Sequence, residues 1–129
     1  MPGSIAIDTN RYADLARRLP DAVQRVSEAD RLCIPFTVLA ELRAGFRGGV
    51  RRTQNEADLS NLLAQPPVTV VYANEQTVEL WSEFHNFLRK QGKVIPHNDL
   101  WIASLCVQYA FRLYTRDKHF DLLPQVMRA

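Results

Sequence analysis

The sequence predicts an α/β protein: a parallel sheet with helices packed on both faces. Two observations carry that expectation. Short apolar runs of β-type residues alternate with longer segments of helical period along the chain. And 129 residues with 47% hydrophobic and 23% charged side chains suffice for one core and are too few for two.

The elements follow in order. Ser4 to Ile7 reads as a first strand, and a helix is expected from about Asn10, with Tyr12, Leu15, Ala16 and Leu19 as its apolar stripe and Pro20 as its stop. Asp21 to Glu28 is a short helix and Arg31 to Ile34 a second strand. Pro35 leads into a helix with the stripe Val38, Leu39, Leu42 and Phe46, with Thr37 as the expected N-cap and Gly48 and Gly49 at its end. Arg51 to Gln65 is a helix closed by Pro66 and Pro67, and Val68 to Tyr72 a third strand. Glu75 to Gln91 is a long amphipathic helix using Val78, Trp81, Phe84 and Leu88, stopped by Gly92. Asn98 to Tyr109 is apolar nearly all round, so burial on more than one side is expected, and Arg112 to Thr115 is a fourth strand. No repeat or linker divides the chain, which reads as a single domain over residues 1–129.

Composition excludes several classes. Sixteen Lys and Arg against fourteen Asp and Glu leave a net charge of +2, far from a polycation. Leu100 to Phe111 is too short to span a bilayer, and Ile5, Ala6 and Ile7 before Asp8 make no signal-peptide core. Cys33 and Cys106 sit in apolar stretches and read as buried thiols of a cytoplasmic protein. His85, His97 and His119 lack the spacing of a helical zinc pair, although His97 lies two residues before Asp99. Phosphate-cradling glycine loops, a nucleophile elbow and a dinucleotide fingerprint are all missing, which removes kinases, serine hydrolases and dehydrogenases.

What remains is a set of acids. In such a sheet the strand C-termini and the N-termini of the following helices share one edge, where sites form. Asp8 directly follows the first strand, and Asp117 comes shortly after the fourth. Glu41 lies in the first turns after Thr37, and Asp99 opens its helix. Two carboxylates roughly 4 Å apart repel by about 4 kcal/mol at an effective dielectric near 20, so a gathering of four requires neutralisation. A divalent cation with oxygen ligands is the simplest source, and it suits metal-assisted phosphodiester hydrolysis. Each acid also has a structural reading: Asp99 as a helix start, Asp8 as the initiator of an Asp8-Thr9-Asn10 turn, Glu41 as a solvated helix residue, Asp117 as a turn residue.

Four segments share a family pattern: Ile-Asp-Thr-Asn at 7–10, Leu-Ala-Glu-Leu-Arg at 39–43, Asn-Asp-Leu-Trp-Ile-Ala at 98–103 and Thr-Arg-Asp-Lys-His-Phe at 115–120. In order and spacing the chain resembles PIN-domain ribonucleases, specifically VapC-type toxins of toxin–antitoxin pairs. The resemblance implies a three-layer α/β/α fold with a central parallel sheet of four to five strands. It implies Asp8, Glu41, Asp99 and Asp117 as catalytic metal-binding acids for Mg²⁺ or Mn²⁺, with Asp121 a nearby substitute for Asp117, since many relatives carry Asn at that position. Thr9, Asn10 and Thr115 would support them. The implied activity is endoribonuclease cleavage by activated water, leaving 5′-phosphate and 3′-hydroxyl ends. Implied partners are RNA, a cognate antitoxin and a second copy of the chain. Trp81, Phe84, Phe87 and Trp101 supply aromatic surface for such contacts or for the core. Arg43, Arg47, Arg51, Arg52 and Arg116 are candidate RNA-backbone contacts or a solvated face. The alternative to an enzyme is a catalytically silent binding module on the same fold.

Overall fold

A computed structural model describes residues 3–129. Four strands, β1 (Ser4–Ile7), β2 (Arg31–Pro35), β3 (Val68–Val71) and β4 (Arg112–Tyr114), form one sheet in the order β3-β2-β1-β4. All pairings are parallel, with Ile5 opposite Leu32 and Arg112, and Cys33 opposite Thr69. Six helices flank the sheet: α1 (Thr9–Ala16), α2 (Pro20–Glu28), α3 (Phe36–Arg47), α4 (Arg52–Leu63), α5 (Glu75–Lys90) and α6 (His97–Tyr109). The expected three-layer α/β/α architecture with four parallel strands is the observed one.

The strand order dictates where a site can lie. The chain moves outward from β1 through β2 to β3, then returns across the sheet to place β4 on the far side of β1. Right-handed crossovers therefore put α1–α4 on one face and α5–α6 on the other, and the direction reverses between β1 and β4. In folds of this kind the crevice that takes a site lies beyond the C-terminal ends of those two strands. Because α6 runs back against the sheet into β4, its first turn also lies at that edge.

The core is built from the strand interiors, with Ala6, Ile7, Cys33, Ile34 and Leu113 fully buried, and from α6, whose Ile102, Ala103 and Leu105 are sealed on both sides. This is the burial expected of its all-round apolarity. Cys33 and Cys106 are free and buried, and burial pushes both thiols up.

Three local expectations are corrected. Helix α1 stops at Ala16, and Ala16 and Leu19 are exposed; its buried face is Tyr12 and Asp14. Thr37 is not the N-cap of α3: Pro35 takes that position with φ −58°, ψ 142°, and Thr37 is buried inside the first turn with its hydroxyl unpartnered. Proline presets the extended entry without a side-chain cap. Val78 lies on the solvent side of α5, whose start is fixed by a capping box between Asn74 and Thr77. At the other end of α5, Gly92 supplies the left-handed residue, φ 68°. Ala110 makes the same turn after α6 at φ 58° without being glycine, and Phe111 N–H donates back to the Cys106 carbonyl at 2.9 Å.

Candidate active site

Asp8 is the first residue beyond β1, and its backbone N–H extends the ladder to the Tyr114 carbonyl at 3.0 Å. Its side chain is only 5% exposed and has two separate partners. Oδ1 accepts the Thr9 N–H at 2.8 Å, capping α1, and Oδ2 accepts the Thr115 hydroxyl at 2.6 Å. The Thr115 oxygen in turn accepts Asn10 Nδ2 at 3.4 Å and the Asp117 N–H at 3.0 Å. A hydroxyl has one proton and two lone pairs, so this set of partners leaves its proton only Asp8. Asn10 Oδ1 also accepts the Arg116 N–H at 3.1 Å. Thr115 and Asn10 thus lock the strand-one acid to the segment leaving β4.

Glu41 arrives on the second turn of α3, and its Oε1 accepts the Thr9 hydroxyl at 3.1 Å. Partial burial raises its pKa, and the Asp8 charge adds to the rise against the Thr9 hydrogen bond. Asp99 sits in the first turn of α6, with its side chain 13% exposed. Burial pushes its carboxyl up to about 6, helped by the charges of Asp117 and Asp8 and opposed by His119. Asp117 caps a 3₁₀ turn, Lys118–Leu122, by accepting the His119 N–H at 2.9 Å. The His119 ring folds back so that Nδ1 lies 2.9 Å from Asp99 Oδ2 and 3.1 Å from Asp117 Oδ1. Its pKa is raised, chiefly by the hydrogen bond to Asp99. One donor atom from each of Asp99, Asp117 and His119 falls within 4.8 Å of the others.

The four acids therefore come to one edge from β1, α3, α6 and the post-β4 turn. Among the described residues, His119 is the one basic side chain paired with any of them. A cluster of negative charge, with Glu41 and Asp99 already shifted toward protonation by burial and by the neighbouring carboxylates, fits a divalent cation with hard oxygen ligands.

Other expected residues have different surroundings. Asp121 points away and pairs with Arg128 at 2.9 Å, so it is no substitute for Asp117. His97 stacks edge-on against Trp81 and accepts the Trp81 indole N–H through its carbonyl. The guanidinium of Arg116 is committed to Asp14, with Nε on Oδ2 and Nη2 on Oδ1, both at 3.0 Å. Arg43 is 3.6 Å from Glu56, while Arg47, Arg51 and Arg52 are exposed. Two features were missed in the sequence. His119 follows Asp117 by two residues, a spacing that one tight turn can fold together. Asp14, only 4% exposed, is held below the usual carboxylate range by Arg116 and Arg11, and it lies off the apolar stripe expected of α1, so the sequence carried no signal for it.

Comparison with known proteins matches residues 5–125 to the PIN domain family. Ribonuclease VapC1 of Haemophilus influenzae (strain R2866) is 37% identical over 101 residues, covering 75% of this chain and 74% of the relative. The structure of VapBC-1 from nontypeable Haemophilus influenzae superposes with a TM-score of 0.86 at 31% identity, covering 98% of this chain and 96% of that one. DNA-bound VapBC from Salmonella typhimurium gives a TM-score of 0.87 at 18% identity over 98% and 97% of the two chains, a likeness of fold.

Proposed function

The chain belongs to the PIN domain family, and from that premise we propose that it is a VapC-type toxin, an endoribonuclease dependent on Mg²⁺ or Mn²⁺ and silenced by a cognate antitoxin. The observation that carries this reading is the convergence of four carboxylates on the β1/β4 crevice with a single imidazole as counter-charge.

Asp8, Glu41, Asp99 and Asp117 would hold the metal. A divalent ion held by them would supply activation of water and neutralisation of charge at the scissile phosphate. The rest is done by this chain. Thr115 fixes the orientation of Asp8 by donating to Oδ2, while Thr9 holds Glu41 beside it. Asn10 ties the residues after β4 to α1, so that Asp117 keeps its distance from Asp8. Arg47, Arg51 and Arg52 face solvent around the end of α3 and the start of α4, where they attract the RNA backbone. No side chain is asked to attack phosphorus.

Two protein partners fit separate surfaces. An apolar groove of about 510 Å³ between α1, α2 and α4, lined by Tyr12, Leu15, Val23, Val26 and Leu62, suits an antitoxin segment. An aromatic row from Tyr72 through Phe36 and Trp101 to Trp81, with successive ring centroids 5.7–6.3 Å apart, suits a second copy of the chain. Sedimentation equilibrium of Trp81→Ala/Trp101→Ala should return a monomer where the native chain returns a dimer. Cytosolic action fits the two free thiols, and no described helix is long and apolar enough to cross a membrane.

The deciding experiment incubates purified protein with total cellular RNA in Mg²⁺, Mn²⁺ or excess chelator and maps the new 5′ ends. New 5′-phosphate ends that need metal and vanish in Asp99→Ala support the enzyme. Binding without cleavage under every condition supports a silent module.

A further inference from the structure

His119 is set apart from the other polar groups at the crevice. It is 48% exposed in its side chain, yet its ring is turned inward onto two carboxylates. The orientation is imposed locally: Asp117 accepts the backbone N–H of His119, and Phe120, the next residue, is anchored in the core at 1% exposure. The main chain that carries the ring is therefore fixed beside the two carboxylates. The atom it presents is Nδ1, which approaches Asp99 Oδ2 and Asp117 Oδ1 at 2.9 and 3.1 Å.

Resting on the metal-dependent reading above, we propose that His119 is a nitrogen ligand of the metal together with Asp99 and Asp117, and that it tilts the site from Mg²⁺ toward Mn²⁺. The three donor atoms lie within 4.8 Å of one another, close enough to share one ion. Nδ1 offers a lone pair when the neutral ring carries its proton on Nε2, and entry of a cation displaces any proton that Nδ1 holds between the two carboxylates. An imidazole nitrogen is a softer donor than a carboxylate oxygen. Mg²⁺ binds oxygen almost exclusively and gives up water reluctantly, whereas Mn²⁺ accepts nitrogen readily. A lone nitrogen in an oxygen site therefore raises affinity for Mn²⁺ more than for Mg²⁺.

The test uses the full chain, Mn²⁺ alone and pulsed electron paramagnetic resonance. Mn²⁺-loaded protein should show coupling to a directly bound ¹⁴N, and selective ¹⁵N-histidine labelling should change the pattern. His119→Gln, which keeps a polar side chain at an exposed position, should lose the coupling while still binding Mn²⁺. By competition titration its preference for Mn²⁺ over Mg²⁺ should fall on the order of tenfold. Mn²⁺ bound without nitrogen coupling, or coupling that persists in His119→Gln, overturns the inference and leaves the acid-held metal standing. No Mn²⁺ binding at all overturns both. Thermal melts of the metal-free variant check that it is folded.

Discussion

Replacing Asp99 by asparagine should make the metal-free protein more stable while destroying its activity. Asparagine keeps the shape and a hydrogen-bonding oxygen for His119, and it removes the charge. The size of the effect follows from the site. In the folded protein the Asp99 carboxyl moves from an ordinary 3.8 to about 6, with the attraction to His119 already included. At about 1.4 kcal/mol per tenfold change in proton affinity, ionising it in the folded state costs about 1–3 kcal/mol more than in the unfolded chain. The sign with pH is definite. An acid whose folded pKa lies above its unfolded value binds more protons when folded, so its contribution is full below pH 3.8 and lost as pH rises toward 6. Metal-free native protein should therefore fall behind Asp99→Asn between pH 4 and 6 and stay behind at pH 7. For a chain of this size each kcal/mol moves the melting temperature by roughly 4 °C, so a gap of about 4–12 °C is expected. Mg²⁺ at a thousand times its Kd should reverse the order, since it adds about 4 kcal/mol to a state that binds it. Differential scanning calorimetry in chelator and in Mg²⁺, at pH 5, 6 and 7, reads all of this. If Asp99→Asn melts with or below the native protein at pH 7 in chelator, the picture of mutually repelling, partly buried acids is wrong.

Other expectations follow from individual contacts. Thr115→Val removes what is, among the described residues, the only hydroxyl donor to Asp8; it should cost about 1–2 kcal/mol of stability by urea unfolding and about tenfold in cleavage rate. Unaltered cleavage would show that Asp8 needs no such support. Arg47→Ala/Arg51→Ala/Arg52→Ala should weaken binding to single-stranded RNA and flatten the plot of log affinity against log salt by about 2, three phosphate contacts at roughly 0.7 each. An unchanged slope by fluorescence anisotropy would remove these residues from the RNA path. Ala110→Gly should stabilise the protein by about 1 kcal/mol in chemical denaturation, because Ala110 holds a left-handed conformation that costs any residue with a Cβ.

The sequence made the sheet legible because parallel strands buried on both faces are short, continuous apolar runs, and Ile5-Ala6-Ile7 and Leu32-Cys33-Ile34 are that and little else. It pointed to the four acids because Asp8 and Asp117 follow strands, Asp99 opens a helix and Glu41 lies in the second turn of another, positions whose place in the fold follows from topology. Side-chain partnerships were harder to see. The Asp14–Arg116 pair joins residues 102 apart, and nothing in the first helix announces that its buried face is anionic. Thr37 carries the composition of a cap, but the proline two residues before it had already set the chain entering the helix. His119 is not legible from histidine spacing, because its partners are carboxylates, one of them twenty residues away on another element.

Asp8 carries two duties on one side chain, and this divides the ways in which the molecule can be disarmed. A cell poisoned by such an enzyme selects for any lesion that silences it. Under the proposed function, a change at Asp99 leaves the helix caps and strand ends intact and would yield an inert decoy that still occupies its inhibitor. A change at Asp8 also strips α1 of its cap and orphans the Thr115 hydroxyl, so that product is prone to be cleared by proteases and its inhibitor is released. Survivors of the two kinds would look alike on a plate and leave opposite amounts of free inhibitor behind.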